Sequence, residues 1–98
     1  MRVTRKMLEE TLEEFCALLG KRPAVFHGDI GAITLDRNGE PLRVFLHQIT
    51  NEGGGVRSFG PQECYTNKEL WEKMRFTISV LRHVQWEEDM ARDRELNG

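Results

Sequence analysis

The sequence predicts a small α+β domain: an antiparallel β-sheet, made of a hairpin plus one short strand, packed against an N-terminal helix and a long C-terminal helix. One observation predicts both helices. Apolar residues recur at spacings of three and four near both ends of the chain, the mark of a single helix face. A second observation predicts the sheet. Between the helices, an alternating run leads into Asn38-Gly39, the strongest short hairpin signal. Strands flanked by helices pack as two layers, with both helices on one sheet face.

The first helix is expected from Arg5 to Leu19. Thr4 is its N-cap. Leu8, Thr11, Leu12, Phe15, Leu18 and Leu19 share one face, while Glu9, Glu10, Glu13 and Glu14 take the other. Gly20 and Pro23 end it. Ala24 to His27 is expected as the short strand, broken by Gly28 and Asp29. Ile30 to Asp36 and Leu42 to Thr50 are the hairpin strands, with Pro41 just before the second, where it harms pairing least. Asn51 to Gly60 reads as a glycine-rich loop. Thr66-Asn67-Lys68-Glu69 matches a capping box that opens the second helix. Leu70, Met74, Thr77, Ile78, Leu81 and Val84 continue it at helical spacing, and Glu69 with Lys73 is a favourable ion pair.

A helix from Asn67 to Glu95 would be ~43 Å long. A globule of this size has a radius of gyration of only ~13 Å. The helix therefore outruns its own domain. Residues 1–98 read as a single domain, with 87–98 a charged helical extension or a frayed tail. The short core leaves sheet edges open, so a homodimer is an expectation.

Composition narrows the function classes. Net charge is −2, which supplies no global basic field for nucleic acid or anionic membranes. No apolar run is long enough to span a membrane. Arg2, Arg5 and Lys6 lead directly into glutamates, a helix pattern and not a signal peptide. A cytoplasmic protein is the expectation. Cys16 and Cys64 are too few for a disulfide framework.

The residues that carry most information are Asn51, Glu52, Gly53, Gly54, Gly55 and Arg57. Consecutive glycines can aim several amides at one anion. A phosphate loop, however, runs straight into a helix and carries Lys before Ser or Thr. Neither feature is present, so the loop reads as a recognition surface, with a Glu52–Arg57 ion pair as one way to pin it. Trp86, near the polar end of the second helix, adds a candidate partner-binding anchor.

Other constellations point to no chemistry. His27, His47 and His83 lack metal-ligand spacing, so no metal and no cofactor are expected, although His27 and His47 could face each other across the sheet. Cys64 with His47 is conceivable as nucleophile and base, but no family pattern surrounds it. Cys16 adjoins the apolar face and reads as core. No residue is assigned a catalytic role. Arg43, His47, Arg57, Lys73, Arg75, Arg82 and His83 could form one basic stripe, which keeps nucleic acid as the alternative partner.

From Gly31-Ala32-Ile33-Thr34-Leu35 through Ile49-Thr50-Asn51-Glu52-Gly53-Gly54-Gly55-Val56-Arg57, the chain resembles small proteins encoded by phages and prophages of Gram-positive bacteria. They share its length, an Ile-Thr-Asn-Glu-Gly-Gly-Gly-Val-like run and a following helix with a Thr/Ser-x-x-Glu cap. The resemblance spans about residues 30 to 84 and implies context, not chemistry. It implies a non-enzymatic accessory protein in the cytoplasm of a bacterial host, acting by protein–protein interaction such as inhibition of a host or defence factor. The alternative is a regulatory protein that binds nucleic acid or a nucleotide through the glycine loop and nearby arginines.

Overall fold

A computed structural model describes residues 2–39 and 42–97, so Glu40 and Pro41 of the expected turn and Gly98 of the tail lie outside the described residues. The order is α1 (Arg5–Leu18), β1 (Ile33–Asn38), β2 (Arg43–Ile49), β3 (Val56–Ser58) and α2 (Asn67–Asn97). The three strands form one antiparallel sheet in the order β1-β2-β3. The fold is the expected small α+β type.

Local chemistry sets the helix ends. The Thr4 hydroxyl accepts from the Met7 amide, and Gly20 takes a φ of 68° just past α1. At α2 the capping box closes both ways. The Glu69 amide donates to the Thr66 hydroxyl at 3.1 Å, and the Thr66 amide donates to the Glu69 carboxylate at 3.1 Å. Those contacts hold the Glu69 carboxyl below its usual range. Arg43, at 3.8 Å, is the salt-bridge partner of Glu69, and the charge of the expected partner Lys73 also favours that carboxylate.

The two helices run in the same direction. Asn67, at the start of α2, donates to the Val3 carbonyl, while Glu14 near the end of α1 meets Arg75 and Arg82. Between helices and sheet lies the core: Leu8, Leu12, Phe15 and Cys16 of α1, Ile33, Val44 and Leu46 of the sheet, and Leu70, Met74 and Ile78 of α2. Burial pushes the Cys16 thiol up to about 11.

Two elements differ from expectation. Ala24–His27 is not a strand. Only Pro23 bridges, in parallel, to Ile33, and the chain then arches away because Asp29 gathers Arg22 and the Val25 amide. The third strand is instead Val56–Ser58, inside the expected loop, paired as Ile49↔Val56 and His47↔Ser58. The α2 stripe also ends sooner than its spacing suggests. Val84 is exposed, as is every described side chain from Arg82 to Leu96. The helix nevertheless continues to Asn97, and the radius of gyration is 16.0 Å. Among the described residues, no helix is long and apolar enough to cross a membrane.

Candidate functional site

The glycine run is the tip of the β2–β3 hairpin, and Asn51 builds it. The Thr50 amide donates to the Gly55 carbonyl at 2.7 Å, and the Gly54 amide donates to the Asn51 carbonyl at 3.1 Å. The Gly55 amide donates to Asn51 Oδ1 at 3.0 Å. Gly54 needs its φ of 86°, and a side chain at Gly55 would occupy the space of the Asn51 amide, 2.3 Å from its Nδ2. The segment is therefore a closed turn. The amides of Gly54 and Gly55 serve the turn itself, and Glu52 and Gly53 form its exposed crest.

Arg57 stands on β3 and donates to Gln48 Oε1 at 3.3 Å across the strands. Gln48 in turn donates to the Gly31 carbonyl at 3.1 Å. Arg57 thus braces the hairpin base through Gln48, in place of the Glu52 pairing considered from sequence. Trp86 is not brought to the hairpin. It stands on the exposed length of α2 with its ring 5.8 Å from that of His83.

The second wall is the 24–31 arch. Ala24 and Ile33 tie its ends by exchanging backbone hydrogen bonds with Ile33 and Arg22 respectively. Gly28 lies against the Glu52 carbonyl, where even a Cβ would come within 2.5 Å. His27 packs on Gly54. A groove of about 360 Å³ opens between arch and sheet, lined by Val25, Phe26, His27, Asp36, Ile49 and Val56. Val25 and Phe26 are 85% and 61% exposed, so the rim of this groove is apolar.

Asp36 and His47 share the sheet face that lines the groove. Pairing of Asp36 with Phe45 puts His47 diagonally beside it, and His47 Nδ1 lies 2.6 Å from Asp36 Oδ2. The bond orients the imidazole. His27 and His47 therefore do not pair with each other, and His47 is committed to Asp36 and not to Cys64. Sequence reasoning missed this pair and the role of Gly28. The β1–β2 register carries the first; no local signal carries the second.

A larger groove, about 650 Å³, runs under the β3–α2 connection beside Phe15, Phe59, Pro61 and Phe76. Its floor is the core residues Leu70 and Met74. Glu69, Glu72, Lys73 and Thr77 of α2 also line it, but Glu69 is engaged by the Thr66 cap and Arg43, and the glycine turn does not reach it. The smaller groove, which Gly54 of that turn lines, is therefore taken as the candidate site.

Arch stability is pH-dependent. The Arg22 guanidinium, helped by the Val25 amide and opposed by burial, holds the Asp29 carboxyl below its usual range. A depressed carboxylate stabilises the fold fully above its unfolded pKa of about 3.9, and that contribution disappears as pH falls through the lower folded value. Asp29→Asn is therefore expected to flatten the acid side of the stability profile below about pH 4. Urea midpoints taken across that range check it; profiles of equal slope would contradict it.

No protein-family model, curated protein or solved structure matches the chain.

Proposed function

We propose that this chain is a small non-enzymatic binding module that engages a protein partner through the hairpin crest and the adjoining arch. The observation that carries this reading is the apolar rim: Val25, Phe26 and Val56 lie exposed around the groove beside Glu52 and Gly53. Exposed apolar side chains around a polar, backbone-rich tip suit a protein surface better than a phosphate backbone. The charges support the same choice. Arg43 meets Glu69, while Arg75 and Arg82 both meet Glu14, so the basic stripe is interrupted by acids. The resemblance to phage and prophage proteins supplies the context: an accessory protein in the bacterial cytoplasm that blocks a host or defence factor.

Affinity capture from host lysate, followed by mass spectrometry, identifies the partner, and direct titration measures it. Phe26→Asp should leave the fold intact, because Phe26 is exposed, and weaken that partner at least about tenfold. Equal affinity for the variant would sink the reading. Binding to DNA or RNA that falls steeply with salt would favour the nucleic-acid alternative.

A further inference from the structure

The face of α2 opposite the core repeats with a coiled-coil spacing. Phe76, Val80, His83, Glu87, Met90 and Arg94 follow one another at intervals of four, three, four, three and four. All six are exposed, three of them large apolar residues: Phe76 at 71%, Val80 at 44% and Met90 at 39%. Core contacts of the helix come from the other side, through Leu70, Met74 and Ile78.

The charges on this face are few. Arg75 and Arg82 turn to Glu14 of α1 instead, which leaves His83 in the first half of the stripe. The second half carries Glu87, 2.8 Å from His83 of the same helix, and Arg94. We propose that a second copy of this chain docks on this face, its α2 antiparallel to the first, with the two-fold axis beside Gln85. A parallel pair would set Glu87 on Glu87 and Arg94 on Arg94. The antiparallel pair sets His83 opposite Glu87 and Phe76 opposite Arg94, each twice, as a two-fold axis requires.

The register follows from the repeat. With the axis at Gln85, Val80 of each copy meets Met90 of the other, His83 meets Glu87, and Phe76 meets Arg94. These are an apolar layer, a polar layer and a cation over an aromatic ring, in the layer order of antiparallel coiled coils. Val84 and Trp86 flank the axis. Each overhang then covers the other's apolar face, while α1 and the sheet stay on the outer side. About 27 Å of paired helix is a small interface, so the dimer is expected to be weak and concentration-dependent. The glycine hairpin takes no part, so failure here leaves the functional proposal untouched.

The test uses the full chain carrying Cys64→Ser, with Cys16 sheltered in the core. Sedimentation equilibrium up to about 500 µM should show monomer converting to dimer. Val80→Cys and Met90→Cys are then oxidised separately and as an equimolar mixture, with circular dichroism confirming the fold. The mixture should form the mixed disulfide at least about tenfold faster than either variant forms its own, because like residues lie ten positions apart across the axis. Monomer throughout the concentration range, or self-linking of Val80→Cys as fast as the mixture, overturns the proposal.

Discussion

Leu8→Ala should cost about 3–5 kcal/mol of stability, the range for emptying a leucine-sized space in a rigid core. Leu8 is fully buried and belongs to the cluster that joins α1 to β1, β2 and α2. Domains of this size hold roughly 5–15 kcal/mol in total, and small ones lie near the lower end. The variant should therefore unfold at a much lower urea concentration with an unchanged m-value. Leu96→Ala is the control. That side chain is 78% exposed on α2, and its loss should stay within about 0.5 kcal/mol. A Leu8→Ala loss below about 1 kcal/mol would mean that the helix layer does not seat on the sheet as described.

Gly28→Ala should disturb both stability and the candidate site. The new methyl would lie 2.5 Å from the Glu52 carbonyl oxygen and 3.3 Å from its carbon. Both are backbone atoms, so relief requires the arch and the hairpin crest to separate. Overpacking of this kind costs about 1–3 kcal/mol. Gly20→Ala separates the two effects. Its methyl meets open space, and the cost comes only from the φ of 68°, about 1–2 kcal/mol. Gly28→Ala should move the amide resonances of Glu52, Gly53 and Gly54, and Gly20→Ala should leave them in place. Unmoved resonances in Gly28→Ala would show that the arch does not rest on the hairpin.

What could be read from sequence was chemistry that acts within a few residues. The Thr4 cap and the reciprocal Thr66–Glu69 cap each depend on neighbours in the chain, and they fix α1 and the start of α2. The hairpin that Asn38-Gly39 announced is present, but Asn38 ends β1 opposite Arg43, so the connection is longer than a two-residue turn. What escaped depends on distant partners. Val56–Ser58 has no buried residue and forms a strand because Asn51 closes the turn and Phe59 extends the pairing to Leu46. Ala24–His27 has strand-like residue types, but the buried Asp29 bends it into an arch. Val84 keeps the helical period of the core stripe, yet exposed side chains surround it beyond Leu81. At the site, Glu52, Gly53 and the glycine turn were legible as a surface feature. The partner of Arg57 and the Asp36–His47 bond required the cross-strand register.

The shared direction of α1 and α2 has a practical result. The Val3 carbonyl is fastened to Asn67, so the first residues sit at one end of a 31-residue rod and Asn97 at the other. A rod of that length is about 46 Å. Joining the two extremities to recut the chain elsewhere would take a bridge of at least about 13 extended residues. Reporter groups fused to opposite extremities would be held well apart, which makes the pair a ruler for whether the rod stays straight.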